Sequence, residues 1–404
     1  MHDPTKDAVT WLRSPEAIRE RCGAVLAHGL AGRLEHFRVD LGELPAVAGF
    51  VAEVIRDRYP ALDVPYHSRW RHFGAGGVDR LAELERAWTA DGVDVAERAR
   101  RHIDLVVLSV LLDAGAGEQW SYREAETGGV YRRSEGLAVA SLRMAGAGLL
   151  RGDADALDRL SDGDLAAGFQ AGAGNPLVGM AGRADLLRRL AAAMRAAPHM
   201  FGTPARLGNL YDYLHAEAGD GHLAARRILT AVLTGLGPIW PGRTQLGGVN
   251  LGDVWPHPAA GGTGPSHGLV PLHKLSQWLT YSLIEPMEWA GVEVTQVDDL
   301  TGLAEYRNGG LFIDTRVLVP RHAGVLGATH APGDEVVVEW RALTVALLER
   351  LADGVRAVIG LSASEFPLAR VLEGGTWAAG RRLAAERRPE GAPPIAIASD
   401  GTVF

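Results

Sequence analysis

The chain has 404 residues, of which 47% are hydrophobic, so it can bury a large core without disulfides or bound metal. Its net charge of −8 and the absence of blocks of like charge argue against nucleic acid as a partner. A single cysteine, Cys22, excludes a disulfide framework and a cysteine-rich zinc site. The start lacks a secretory signal pattern and no apolar run could cross a bilayer, so we expect a cytoplasmic protein without a membrane partner.

Helical periodicity dominates the chain, for example at 78–115 and 184–197, where apolar residues recur at three- and four-residue spacing. Strand candidates are few and short, at 310–319 and at 335–340, and the second is also compatible with a helix that continues to 351. The pattern predicts a mainly α fold, with residues 1–404 forming one structural unit. Within it we expect two helical lobes, 1–160 and 161–404, the second containing the catalytic residues.

The first unusual segment is YHSRWRHF, at 66–73, which is too polar and aromatic for an ordinary helix surface. Arg and His can donate hydrogen bonds to phosphate or carboxylate oxygens, and Trp offers a flat surface for a sugar or a planar urea-like group. We therefore interpret His67, Arg69, Trp70 and Arg71 as substrate-binding candidates. The alternative is a structural loop with a half-buried tryptophan.

Two further segments are candidates for substrate binding. FGTPARLGNLYDYL, at 201–214, presents Arg206 before a helix that carries Asp212, although internal pairing of Arg206 is an equal alternative. The run 238–258 is long and non-periodic, contains Asp253 and Trp255, and is predicted to be a loop. Loops of that length in folded domains are frequently functional.

The segment LVPLHKLSQWLTYSLIEP predicts a helix that begins near Pro271 and has a leucine stripe facing the core. Lys274 and Gln277 lie on a neighbouring face and would line a pocket. Only Lys6 and Lys274 are lysines among 41 basic residues. Since burial lowers the pKa of lysine more readily than that of arginine, chemistry can require Lys274, although chance retention is an equal alternative.

A short helix is predicted downstream, capped by Asp298 or Asp299 and ended by the Asn-Gly-Gly sequence at 308–310. It would carry Glu305, Tyr306 and Arg307, with Glu305 projecting from a helix end. A solvated surface pair between Glu305 and Arg307 is the alternative.

Several long strings in the chain resemble the uracil-catabolism protein 4 family. They are YHSRWRHFGAGGVDR, QWSYREAETGGVYRRSEGLAVASLRM, RLGNLYDYL, LGDVWPH, HKLSQWLTYSLIEP and LTGLAEYRNGGL. The resemblance covers almost the whole chain. It implies a place in a route that opens the pyrimidine ring of uridine, with ribosylurea or its phosphate as the substrate.

A more distant similarity links HKLSQ, followed after 31 positions by AEYR, to the lysine segment and ADYR motif of queuosine-salvage nucleotide glycosylases. This similarity implies a helical fold like that of base-excision DNA glycosylases, with Lys274 and Glu305 as the catalytic pair. The chain departs from that motif, because it has glutamate in place of aspartate and Asn-Gly-Gly after Arg307. Asp298, Asp299 and Asp314 therefore stay open as the catalytic acid.

Breaking a C1′–N bond builds positive charge on the ribose ring, which a nearby carboxylate stabilises. The leading hypothesis is hydrolysis of the N-glycosidic bond of ribosylurea or its 5′-phosphate to urea and ribose or ribose phosphate. Lys274 would hold Glu305, protonate the leaving nitrogen or attack C1′. The alternatives are an amidohydrolase or deaminase acting on a ring-opened intermediate, and a non-catalytic binding protein of the pathway. No metal or other cofactor is predicted, because the histidines show no ligand spacing.

Overall fold

A computed structural model describes residues 3–113, 115–240 and 244–398, and helices dominate them. Residues 3–67 form α1 (Pro4–Leu12), α2 (Pro15–Leu30), β1 (Phe37–Val39) and α3 (Leu44–Arg58). Residues 68–240 form α4 (Trp70–Phe73), α5 (Arg80–Ala90), α6 (Val95–Leu111), β2 (Ser121–Arg123), β3 (Val130–Arg132), α7 (Arg133–Gly146), α8 (Ala154–Arg159), α9 (Asp162–Gly168), α10 (Met180–Ala196), α11 (Pro198–Phe201), α12 (Leu210–Glu217), β4 (His222–Ala224) and α13 (Ala225–Gly235). Residues 244–398 form β5 (Gln245–Leu246), β6 (Val249–Asn250), β7 (Val254–Pro256), β8 (Leu269–Pro271), α14 (Lys274–Trp289), β9 (Glu293–Thr295), α15 (Tyr306–Asp314), β10 (Leu318–Pro320), α16 (Gly324–Gly327), β11 (Thr329–His330), α17 (Glu335–Ile359), α18 (Leu368–Val371), a π-turn (Leu372–Thr376), α19 (Trp377–Arg387) and β12 (Ala396–Ile397).

Capping residues in the sequence set several helix ends. Ser14 caps α2 and Asp94 caps α6, each by accepting a hydrogen bond from a backbone N–H of the first turn. The longest helix, α17, ends at Gly360, whose φ of 80° is readily adopted by glycine.

The strands of the described chain pair into two-stranded sheets. The antiparallel pairs are β1 with β10, β2 with β3, β5 with β6, and β7 with β8. The parallel pairs are β4 with β9 and β11 with β12. Each sheet is too small to form a layer of its own, so the strands serve mainly to fix chain segments beside the helices.

The chain divides into two compact units. The described residues of unit 1 are 3–67, 244–277 and 296–398, and those of unit 2 are 68–113, 115–240 and 278–295. Unit 1 combines segments distant in sequence, partly because β1 pairs with β10. The predicted lobe boundary near residue 160 differs from this division, since it falls inside unit 2.

The core of unit 1 forms where α17 packs against α2 and α3, and where α15 packs against α19 and α17. Its buried side chains include Ile18, Val25, Val51, Ile55, Phe312, Leu343 and Leu347. Burial of each such side chain contributes about 1.5–3 kcal/mol. Gly309 allows α15 to approach α17 closely, because a β-carbon there would lie 2.6 Å from the Trp340 ring.

In unit 2, α6 packs against α7 and α12, and α10 packs against α8. The apolar face of α6 that the sequence indicated is buried here, as is the face of α10. The buried side chains include Ile103, Val106, Val107, Leu137, Leu187 and Leu190.

Two predictions of helix ends are wrong. α14 begins at Lys274 instead of near Pro271, because Pro271 ends β8 and pairs with Val254 of β7. The Asn-Gly-Gly sequence does not end the helix after Glu305 but lies within α15, where close packing against Trp340 requires glycine at position 309.

Two predictions of strand and loop content also need correction. Residues 310–319 are not a strand, because their first half belongs to α15 and only Leu318–Pro320 is extended. Residues 335–340 belong to α17, as the helical alternative predicted. The described part of the predicted loop 238–258 contains the β5–β6 hairpin and β7, while its residues 241–243 lie outside the described residues.

The mainly helical fold class with few short strands is confirmed. No helix within residues 3–113, 115–240 and 244–398 is long and apolar enough to span a membrane. The likeness to base-excision DNA glycosylases stays a prediction.

Candidate functional site

Glu305 lies at the start of α15 and caps that helix. Its carboxylate accepts hydrogen bonds from the backbone N–H groups of Arg307, at 2.9 Å, and of Asn308. Only 7% of the residue is exposed. Both carboxylate oxygens are therefore fixed in orientation and poorly hydrated.

The electrostatic surroundings of Glu305 include two groups that the sequence singled out. Burial raises the pKa of the Glu305 carboxyl, while the backbone N–H groups of Arg307 and Asn308 and the charges of Lys274 and His67 oppose that rise. Lys274 and His67 are thus close enough to act on the carboxylate. A carboxylate with a raised pKa is more basic than usual, which suits it to accept a proton or to stabilise a cation.

Lys274 is the first residue of α14, and Asp253 fixes its backbone. The Lys274 N–H donates to Asp253 Oδ2 at 3.0 Å, while the Asp253 carbonyl accepts from Leu272 at 2.9 Å. His273 adopts a left-handed φ of 45°, which costs on the order of 1–3 kcal/mol for a residue other than glycine. Its ring contacts the carbonyl of Leu12 at 2.9 Å, so the strained turn before Lys274 is anchored.

Arg341 of α17 connects the two sides of this site. Its guanidinium donates to both carboxylate oxygens of Asp253, at 2.7 and 2.8 Å, and its Nε donates to the carbonyl of Ala304 at 3.2 Å. Burial alone would raise the pKa of Asp253, but Arg341, with hydrogen bonds from Trp255 and Lys274, holds it well below its usual range. Arg341 therefore connects Asp253, which fixes the backbone of Lys274, to Ala304, which precedes Glu305.

His67 is held by a carboxylate from a π-turn. Its Nδ1 lies 2.9 Å from Glu373 Oε2, and Glu373 Oε1 also accepts from Arg58 Nη2 at 3.3 Å and from the Tyr59 hydroxyl at 3.5 Å. Glu373 lies inside the π-turn Leu372–Thr376, a rare conformation that often occurs at functional sites. The Glu373 contact orients the His67 ring through Nδ1, so Nε2 is the ring nitrogen that does not contact Glu373.

Gln277 is fully buried in unit 1. Its Nε2 donates to Thr301 Oγ1 at 2.8 Å, whereas its Oε1 has no hydrogen-bond partner in the part of the chain that the structure describes. A buried carbonyl oxygen without a donor costs about 1–3 kcal/mol. A ligand with an N–H group would recover that cost.

Three other predicted substrate-binding residues of unit 1 make structural contacts. Trp255 donates to Asp253 Oδ1 at 2.6 Å, and the Arg307 guanidinium stacks 4.8 Å from the Tyr306 ring centre and donates to the Gly391 carbonyl at 2.7 Å. Arg307 thus already donates to the protein's own backbone.

The other acids considered for catalysis have different surroundings. Asp298 pairs with Arg356 at 2.9 Å and accepts from the backbone N–H of Leu368. Asp314 forms two contacts with Arg388, at 2.7 and 2.6 Å. Asp299 is half-buried in the 3-10 turn Val297–Asp299, where its backbone carbonyl accepts from Arg19.

Three predicted residues of the YHSRWRHF segment belong to unit 2 and contact that unit. Arg69 is fully buried and bonds to Asp113 at 2.6 Å and to Ser109 at 2.8 Å. Trp70 donates to the Ser282 carbonyl at 2.8 Å, and Arg71 pairs with Glu285.

Arg206 and Asp212 line an open groove of about 630 Å³ in unit 2. Arg206 pairs with Glu97 at 3.0 Å and with Asp104 at 2.7 Å, and Asp212 pairs with Arg100 at 2.7 Å. The internal pairing considered for Arg206 from the sequence is therefore present.

Sequence reasoning missed Arg341 and Glu373. Arg341 is the one charge inside the apolar run WRALTVALL of α17, and burial of that helix would force it to find a partner. Glu373 precedes two glycines in LEGGT, a pattern that by itself predicts only a turn.

Comparison with known proteins identifies relatives over almost the full chain. A family model described as "Protein of unknown function (DUF1688)" matches residues 11–404. The chain belongs to this family. It is 40% identical to Protein urg3 of Schizosaccharomyces pombe, over 98% of this chain and 99% of that protein. It is 36% identical to Uracil catabolism protein 4 of Lachancea kluyveri, also over 98% of this chain and 99% of that protein.

Proposed function

We propose that this protein is an N-ribosyl hydrolase of uracil catabolism, which cleaves ribosylurea or its 5′-phosphate to urea and ribose or ribose phosphate. The relative named Uracil catabolism protein 4 supports the pathway. The observation behind the reaction is the buried carboxylate of Glu305, fixed at a helix start and influenced electrostatically by Lys274 and His67.

In this reaction the C1′–N bond breaks with its electron pair passing to the leaving nitrogen, and a water oxygen bonds to C1′. Glu305 stabilises the developing oxocarbenium charge and takes a proton from the attacking water. One proton is returned to the urea nitrogen, so ribosylurea and water give ribose and urea. Two backbone N–H groups keep the carboxylate oriented, which avoids reorganisation during the reaction.

Lys274 and His67 shift the balance between the ionised and the protonated form of the Glu305 carboxyl. Burial favours the protonated carboxyl, which could neither stabilise a cation nor accept a proton, and the two neighbouring positive groups favour the ionised form. Lys274 also supplies the proton for the leaving nitrogen, because its ammonium is a proton donor and its charge acts on the Glu305 carboxylate.

Gln277 supports urea as the leaving group. Its buried Oε1 can accept an N–H, and a urea group offers several such donors. A sugar without the urea group would offer only hydroxyl donors to this oxygen, so the contact would not distinguish one part of the sugar from another.

The test is to incubate metal-stripped protein with ribosylurea and with its 5′-phosphate in ¹⁸O-labelled water. We expect stoichiometric urea and free sugar, with the label in the sugar. Ammonia or carbon dioxide without free sugar would instead indicate an amidohydrolase, and tight binding of either compound without turnover would indicate a binding protein.

Lys274→Met provides the matched variant, because it keeps the length and apolar stem of the side chain but removes the ammonium. We expect a loss of rate on the order of 10²–10⁴. Lys6→Met removes the other lysine, which lies in α1, and should keep the wild-type rate. Equal rates for Lys274→Met and wild type would contradict the proposed role.

A further inference from the structure

Glu339 of α17 has a buried carboxylate oxygen that lacks a compensating contact. Its Oε1 accepts hydrogen bonds from the backbone N–H groups of His36, at 3.2 Å, and of Phe37, at 2.9 Å. Its Oε2 has no hydrogen-bond partner among the described residues, although the side chain is fully buried. A buried anionic oxygen is costly unless a cation or a donor compensates it.

His257 is nearest to this oxygen but does not satisfy it. Its Nε2 lies 3.6 Å from Glu339 Oε2, which is too long for a hydrogen bond. Its Nδ1 accepts the backbone N–H of Ala259 at 3.1 Å, so the proton of the neutral ring is on Nε2. Because it carries that proton, Nε2 has no lone pair for a metal ion, and we do not count His257 as a metal ligand.

His36 and Glu335 complete a set of three metal-ligand residues with Glu339. One ligand atom from each of the three lies within 4.8 Å of those of the other two. Glu335 precedes Glu339 by one helical turn, and its Oε1 lies 4.0 Å from His36 Nε2. The Nδ1 of His36 contacts His322 Nε2 at 3.0 Å, and in the tautomer in which Nδ1 is the donor, Nε2 presents its lone pair.

We propose that His36, Glu335 and Glu339 bind one divalent transition-metal ion of the Zn²⁺ type. One imidazole and two carboxylates suit such an ion, whereas Mg²⁺ and Ca²⁺ favour oxygen ligands alone. Ligands bound about 2.0–2.2 Å from a tetrahedral ion lie about 3.3–3.6 Å apart, so the three atoms must approach one another by on the order of 1 Å. Glu335 can supply this movement, because it is 46% exposed and can rotate.

The ion would link two segments of unit 1. His36 immediately precedes β1, while Glu335 and Glu339 belong to the first turns of α17. Arg341 follows Glu339 by two positions on the same helix, so the ion would stabilise the helix whose Arg341 contacts Asp253 and Ala304. This site is separate from the proposed reaction, whose bond cleavage needs no metal.

The test uses full-length protein stripped of metal with a chelator, titrated with Zn²⁺ by calorimetry and with Co²⁺ by visible absorption. We expect one equivalent to bind, with cobalt bands that indicate nitrogen and oxygen ligation. His36→Ala and Glu335→Gln should each weaken Zn²⁺ binding by at least about tenfold. These positions are used because Glu339 is buried, and its replacement could prevent folding.

His199→Ala is the matched control, because it removes an exposed histidine of unit 2. It should leave both titrations unchanged. The proposal is overturned if wild type shows no saturable binding of one equivalent, or if His36→Ala binds Zn²⁺ and Co²⁺ as wild type does.

Discussion

Two charged clusters of the protein have similar residues but different electrostatics. The Lys274 cluster of unit 1 consists of His67, Asp253, Lys274, Glu305 and Arg341. The Arg206 cluster of unit 2 consists of Glu97, Arg100, Asp104, Arg206 and Asp212. Both contain a carboxyl whose pKa is raised by burial, that of the buried Glu305 in the first and that of the half-buried Asp104, to about 6, in the second.

The clusters differ in what holds that carboxyl. Asp104 accepts from the Arg206 guanidinium at 2.8 Å, so its charge is matched by a direct side-chain partner. Glu305 is held by two backbone N–H groups, and the charges of Lys274 and His67 only moderate its pKa. A raised pKa alone therefore does not identify a reactive group. The kind of partner indicates whether the carboxylate remains available to a substrate.

Glu305→Gln should have the largest effect on activity. We expect the rate of urea release to fall by on the order of 10²–10⁴, because the amide cannot stabilise a cation or accept a proton. Gln can still accept one hydrogen bond from the start of α15, so the melting temperature should change little. The measurement is kcat/KM beside a melting curve.

Asp104→Asn is the corresponding change in the Arg206 cluster, because it removes the carboxyl whose pKa is raised there, and it should keep kcat/KM near the wild-type value. If both variants lose activity equally, the distinction between the clusters fails.

Arg341→Met should have the largest effect on stability. It leaves the Asp253 carboxylate poorly hydrated and without its main cation, which costs about 3–5 kcal/mol for a buried pair. Arg100→Met breaks the more exposed pair with Asp212 and should cost only about 0.2–1 kcal/mol. Denaturant unfolding of both variants measures the difference, and similar midpoints would contradict it.

Local patterns, helical periodicity and the AEYR motif, singled out the Lys274 segment and Glu305 in the sequence, and the structure places Lys274 close enough to lower the pKa of Glu305. Their catalytic role stays a prediction. The sequence could not indicate Arg341 or Glu373, since their partners are 88 and 306 positions away in the chain. The end of α15 was misplaced for a similar reason. Gly309 suggests a helix end unless one knows that Trp340 packs against it.

The same limit applies to charged segments. Arg206 and Asp212 looked like binding residues because they occur in a loop and helix start rich in Gly, Pro and Asn. Their partners come from α6, for which the sequence pattern predicts only an amphipathic helix. Ion pairs between distant helices follow from tertiary packing, and local patterns do not contain that information.

The pH dependence of activity should distinguish Glu305 further. Glu305 must be ionised to act, and burial raises its pKa, so activity should fall with decreasing pH at values above the usual glutamate range. His67→Gln removes one of the groups that lower this pKa and should move the acid limb to higher pH. The measurement is a pH profile of kcat/KM, and an unchanged or lowered acid limb in His67→Gln would count against the proposed electrostatic role.

The smallest expected effects are on the pH dependence of stability in the Arg206 cluster, and they have opposite signs for its two aspartates. Burial raises the folded-state pKa of Asp104 to about 6, above about 3.9 in the unfolded chain, so its contribution is present at low pH and is lost as pH rises through about 6. Arg100 lowers the pKa of Asp212, so that contribution is present above the unfolded pKa and is lost as pH falls. Relative to wild type, the stability of Asp104→Asn should therefore increase as pH rises from about 4 to 6. Asp212→Asn should be less stable than wild type above the unfolded pKa, and this difference should disappear as pH falls. Melting temperatures from pH 3 to 8 test both, and a shift of the same sign in the two variants would show that the partner charge does not set the difference.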